Sequence, residues 1–160
     1  MDKITLLKTL TEARASWEAL LARIDEDQMQ RPGAAGKWSV KDIIAHMTWG
    51  EREVAPVLRT HILAGSPLWN LSEDERNEIT YQQNKDRALQ DIVNEEQQAY
   101  RDLLEAVQTL SDEDLDDPRR FKNMPAEWKP WQLIAGNSFK HYEDHMPSIR
   151  AWLAENKDQA

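Results

Sequence analysis

Apolar residues recur every third or fourth position through almost the whole of this chain. That period buries one stripe of a helix against its neighbours. The expected fold class is therefore all-α, an antiparallel four-helix bundle. The first helix is expected from Lys3 to Ile24, with Ile4, Leu7, Leu10, Ala13, Trp17, Leu20, Leu21 and Ile24 as its stripe. Arg31-Pro32-Gly33-Ala34-Ala35-Gly36 breaks the pattern. The second helix starts with Ser39 as N-cap and Asp42 three residues on, in the manner of a capping box. Its stripe runs from Val40 to Ile62, with a kink or break expected at Pro56.

A long connection follows, through Ala64-Gly65-Ser66-Pro67, to a third helix capped by Ser72 and running toward Leu110 with an interruption allowed. The stripe of its second half is Leu89, Val93, Tyr100, Leu103, Leu104, Val107 and Leu110. Projected backwards, the same face turns polar. Either that half projects beyond the core, or it lines a polar cavity at one end of the bundle. A fourth helix is expected from Pro130, a favourable first residue, to about Glu155, bent at Pro147 just after His145.

At 160 residues the chain is long enough for one domain with a substantial core, taken as residues 1–160. The net charge of −9 argues against a nucleic-acid or anionic-membrane partner, either of which needs a basic face. The absence of cysteine excludes disulfides, thiolate catalysis and Cys-ligated metal. Any metal must be held by His, Asp or Glu. No apolar stretch approaches the roughly 20 residues of a membrane span, and the first residues lack the apolar core of a signal peptide, so a cytoplasmic location is expected.

Within such a bundle three of the four histidines converge. His141 and His145 are spaced i, i+4, which sets both imidazoles on one helical face, and both fall on the apolar stripe between Ile134 and Ile149. His46 lies on the inward stripe of the second helix. Imidazoles facing a core need polar partners, which a metal, buried carboxylates or water can supply. Two ligands from one helix and one from another is a bundle metal site. Three neutral imidazoles suit Zn²⁺, Ni²⁺ or Fe²⁺ and leave positions open for water or substrate. His61 reads as an ordinary histidine.

Glu53 lies two turns after His46. It is either a carboxylate serving the site, by orienting a ligand, as a fourth ligand or as a general base, or part of the solvated run Glu51-Arg52-Glu53. Asn77, Tyr81 and Asn84 form an i, i+4, i+7 row that either lines a substrate pocket or is exposed. Trp49, one turn from His46, either walls that pocket or packs in the core. The chain has seven tryptophans, most expected as core or helix-start anchors. There is no Gly-rich phosphate loop, Gly-x-Ser-x-Gly elbow or His-Glu-x-x-His helix.

The segment Trp38-Ser39-Val40-Lys41-Asp42-Ile43-Ile44-Ala45-His46, followed much later by His141-x3-His145, resembles the DinB-like (YfiT-like) superfamily, and within it the ClbS/DfsB-type branch. The resemblance extends from the first helix to about Leu153. It implies a four-helix bundle, commonly a homodimer, with a divalent metal on His46, His141 and His145. It also implies chemistry on a small electrophile, as a hydrolase or as a transferase using a low-molecular-weight thiol, in detoxification or stress resistance. The alternatives are a non-catalytic bundle that binds a small molecule or metal, and a structural or regulatory dimer whose histidines are packing residues.

Overall fold

The computed structural model describes residues 1–156. Helix α1 spans Lys3–Leu21, α2 Glu26–Met29, α3 Val40–Thr60, α4 Glu73–Asn84, α5 Leu89–Thr109, α6 Asp112–Asp116, α7 Pro130–Gly136 and α8 Phe139–Glu155. There is no strand among the described residues. The long helices α1, α3, α5 and α8 pack in the ring α1–α5–α3–α8.

Local chemistry sets the helix starts. Ser39 accepts from the Asp42 amide while the Asp42 carboxylate accepts from the Ser39 amide, and Ser72 and Glu75 repeat the arrangement. Ser39→Ala, with Ser39 only 2 % exposed, is expected to cost about 1 kcal/mol. That is a fall of roughly 2–4 °C in a circular-dichroism melt.

Three expectations change in detail. Helix α1 ends at Leu21, with Ile24 buried in the turn beyond it. Helix α3 runs unbroken through Pro56, so the break allowed there is absent; α8 likewise stays helical through Pro147. The fourth expected helix is split in two, and the interruption allowed in the third is present. Between α4 and α5 the break at 85–88 is held by Lys41 of α3, whose Nζ donates to the carbonyls of Lys85 (2.7 Å) and Arg87 (3.0 Å). Between α7 and α8, Asn137 donates to the Leu133 carbonyl and Ser138 to that of Ile134, side-chain competition that interrupts the helical ladder.

Direction follows from the cross-links. Arg52 pairs with Glu95 and Arg59 with Asp102, so α3 and α5 run the same way. Lys3 reaches the Gln108 carbonyl while Arg14 pairs with Glu96, so α1 and α5 are antiparallel. His46 meets His141, and Gly50 lies against Asn137, so α3 and α8 are antiparallel too. A parallel α3–α5 pair requires the chain to return along the bundle between them. This is the physical reason for the long connection, residues 61–72, which contains a short 3-10 turn at Pro67–Asn70.

The core divides into two apolar clusters. One gathers Leu6, Leu10, Val54, Leu58, Leu103, Ile134 and Phe139. The other gathers Trp17, Leu20, Ile43, Ile44, Met47, Ile92, Tyr142 and Ile149. Between them lies a buried polar layer. Arg14 makes a two-pronged ion pair with Glu96, one prong at 2.9 Å, and Trp17 Nε1 donates to Glu96 Oε1 at 3.0 Å. The Tyr142 hydroxyl donates to Glu51 Oε1.

Candidate metal centre

His46 comes from the first half of α3, and His141 and His145 from the first half of α8. One possible donor nitrogen from each lies within 4.8 Å of the other two. His141 Nε2 and His46 Nε2 are 2.8 Å apart. Ring centroids are separated by 4.7, 5.1 and 4.9 Å around the triangle. Two nitrogens bound to one Zn²⁺ at about 2.0–2.1 Å stand roughly 3–4 Å apart, and the separations present bracket that range. Among the described residues this is the one such group of His, Asp or Glu side chains.

Electrostatics favour the ligand form. Burial, then the neighbouring His141 and His145, then Arg76, push the His46 imidazole down to about 3. Burial, then His145, lowers His141 to about 4, and burial lowers His145 as well. All three are therefore neutral at neutral pH, with lone pairs free to coordinate. The Nδ1 atoms of His46 and His141 are buried with no hydrogen-bond partner among the described residues.

Around the triad, Trp38 lies 5.2 Å from His46 and stacks on Tyr81 of α4 at 6.2 Å. Arg76, also on α4, sits over the Trp49 ring at 5.4 Å. The polar start of the third expected helix is thus the separate α4, packed over the His46 region of α3. Tyr81 joins the triad's surroundings through Trp38. Asn77 is half-buried on the same helix. Asn84 accepts from Arg87 and donates to the Thr80 carbonyl, a helix-end role; with Trp49 it also borders a recess of about 170 Å³ between α3, α4 and α5. Trp49 further lines a second cleft with Trp69, Arg76, Trp128, Leu133 and Asn137. Glu53 accepts from the Ser66 amide at 2.7 Å and so anchors the long connection. It does not join the histidine group. His61 ends α3 in the left-handed region, against Phe121 and near Asp114.

Glu51, not Glu53, is the carboxylate of α3 that enters the core. It is 1 % exposed, and its Oε2 has no hydrogen-bond partner among the described residues. Burial raises its carboxyl to about 8, against the lowering effects of Tyr142 and Arg14, with Glu96 raising it slightly. The spacing Val40, Ile44, Met47, Glu51, Val54, Leu58 puts it on the inward stripe, a signal masked by its charged neighbours. A carboxyl raised from 4.5 to about 8 in the folded state binds its proton more tightly there than when unfolded. Stability is full below the unfolded value and falls as pH rises toward the folded one. Glu51→Gln is expected to match the parent near pH 5. By pH 8.5 it should be more stable by on the order of 2 kcal/mol, read from denaturant midpoints at both pH values.

The profile of the DinB superfamily matches residues 9–158. The chain belongs to the DinB superfamily. Structural neighbours agree on the fold. The DfsB structure, described as a sibling lethal factor precursor, is 21 % identical with a TM-score of 0.82, covering 98 % of this chain and 97 % of its own. A protein from Streptococcus pneumoniae is 15 % identical at TM-score 0.80, covering 95 % and 90 %. An uncharacterised protein from Escherichia coli UTI89 is 15 % identical at TM-score 0.80, covering 98 % and 95 %. Comparison with curated proteins gave no match. No helix among the described residues is long and apolar enough to cross a membrane.

Proposed function

We propose that this DinB-superfamily protein is a metal-dependent enzyme. His46, His141 and His145 hold a divalent cation, and a small nucleophile, water or a low-molecular-weight thiol, attacks a small electrophile beside them. The reading rests on one observation: three neutral imidazoles from two helices present donors within 4.8 Å of one another. A bound divalent cation supplies Lewis acidity and brings the nucleophile's proton affinity down toward neutrality. The chain's own part is to keep the imidazoles unprotonated by burial, to fix two of them one helical turn apart on α8, and to cover the centre with α4. The nucleophile forms its bond to the electrophilic carbon as the strained or leaving bond breaks, and its proton passes to solvent. The proposal extends to a homodimer acting in detoxification or stress resistance.

One observation favours a second reading, ligand binding without turnover. Among the described residues no carboxylate oxygen joins the 4.8 Å group of donors: Glu53 holds the Ser66 amide and Glu51 faces Tyr142, and Asp144 and Glu73 act on the histidines only through their charge. Two measurements on untagged protein purified without chelator separate the readings. The first is metal per chain by elemental analysis. The second is consumption of epoxide and activated-alkene electrophiles with and without thiol, before and after chelation. Near one metal per chain and metal-dependent consumption support the enzyme. Metal without consumption supports the binding protein. A chain that takes up no Zn²⁺, Ni²⁺ or Fe²⁺ rejects both metal readings.

A further inference from the structure

A cleft of about 240 Å³ lies beside the triad, lined by Trp49, Trp69, Arg76, Trp128, Leu133 and Asn137. It adjoins the histidines on three counts. Trp49 is one turn after His46 on α3, Asn137 stands in the α7–α8 break four residues before His141, and the charge of Arg76 acts on His46. The walls are built features. A Cβ on Gly65 would stand 2.4 Å from the Trp69 ring, so only glycine lets the long connection lie against that indole. Glu53 fixes the next residue through the Ser66 amide. A Cβ on Gly50 would meet Asn137 Oδ1 at 2.9 Å, so α3 and the α7–α8 break also depend on a close approach.

The lining states its own chemistry. Three indoles offer flat apolar surface for stacking. Arg76 adds a charge with no ion-pair partner among the described residues. Of the three arginines among the described residues that are not exposed, Arg14 pairs with Glu96 and Arg87 with Glu95. Arg76 has no carboxylate within ion-pair distance among the described residues and lies instead over the Trp49 face. In a chain of net charge −9, a half-buried guanidinium held on an aromatic wall is matched to an anionic group, whose planar oxygens it can take through two N–H donors. The volume is below that of a drug-sized site.

We infer that this cleft binds the substrate as a small aromatic anion, its ring between the tryptophans and its carboxylate on Arg76, with the reacting end toward the histidines. Only the last clause rests on the triad as reaction centre; binding itself does not.

The probes are 1-naphthoate and its uncharged analogue 1-naphthamide, titrated calorimetrically into metal-free and Zn²⁺-loaded protein. The variants are Arg76→Met and His141→Ala, each checked for an unchanged helical spectrum. Saturable binding of naphthoate is expected, with naphthamide at least about tenfold weaker. Arg76→Met should bring naphthoate down to the naphthamide level, and the contrast should persist in His141→Ala. Equal affinity for the two probes needs no variant to read and overturns the assignment. So does an Arg76→Met variant that binds naphthoate as the parent does, or the absence of saturable binding. If naphthoate binding vanishes on chelation yet ignores Arg76→Met, the carboxylate sits on the cation; the cleft assignment then fails and the metal reading stands. If Arg76 governs binding in a chain that takes up no metal, the cleft stands and the metal reading fails.

Discussion

Chelation is expected to lower the melting temperature of the metal-loaded protein by roughly 8–16 °C, and His141→Ala to abolish that sensitivity. A ligand that binds only the folded state stabilises it by about 4 kcal/mol when present at a thousand times its dissociation constant. For a domain of this size each kcal/mol is worth roughly 2–4 °C. The donors come from α3 and α8, two helices whose positions are set only in the folded bundle, so the unfolded chain presents no comparable site. His141→Ala removes the imidazole whose Nε2 lies 2.8 Å from that of His46. The measurement is a scanning-calorimetry pair, with and without chelator, for parent and variant. A variant that keeps full metal content and the full chelator shift would remove His141 from the ligand set.

Arg14→Met is expected to destabilise the fold by about 3–5 kcal/mol. The Arg14 and Glu96 side chains are 6 % and 5 % exposed. Removing the guanidinium leaves the Glu96 carboxylate in the middle of the core with Trp17 Nε1 as its remaining donor. The Tyr100 ring, over which Arg14 lies at 4.5 Å, loses its cation as well. A double variant, Arg14→Met with Glu96→Leu, removes both charges and should recover much of the loss, because no lone buried charge remains. Urea unfolding of the parent and the variants checks this. A double variant no more stable than Arg14→Met alone would show that the packing shape of the pair matters more than its charge.

These buried charges mark the boundary of what the sequence conveys. Helix starts were legible because Ser39, Ser72 and Pro130 act within a few residues of themselves. The triad was legible because i, i+4 spacing on α8 and an inward stripe on α3 are properties of single helices. The polar layer was not. Arg14, Glu51 and Glu96 each occupy a stripe position, following Leu10, Met47 and Ile92 at one-turn spacing, but each reads as a gap until its partner on another helix is known. An interruption between Ser72 and Leu110 is allowed by the pattern, but its place at 85–88 was hidden for the same reason. It carries no Gly or Pro, and its free carbonyls are met by Lys41 from a helix more than forty residues away in sequence. The cleft was missed because its walls come from α3, α4, the long connection and α7. Glu53 stands out in the sequence because it lies two turns after His46, while Glu51 is hidden in the same charged run; the partner of each, Ser66 of the long connection or Tyr142 of α8, decides which one turns inward.

The separation of His46 from His141 by 95 positions has a kinetic consequence. Closing a loop of that length costs conformational entropy before any coordination bond can repay it, so the bundle must largely assemble before the donors meet. A cation held there then bridges α3 and α8 and slows their parting more than it speeds their meeting, because interactions absent from the folding transition state act on the unfolding rate. Metal occupancy would thus report completed folding, and its loss would shorten the lifetime of the native state without altering how quickly the chain first reaches it.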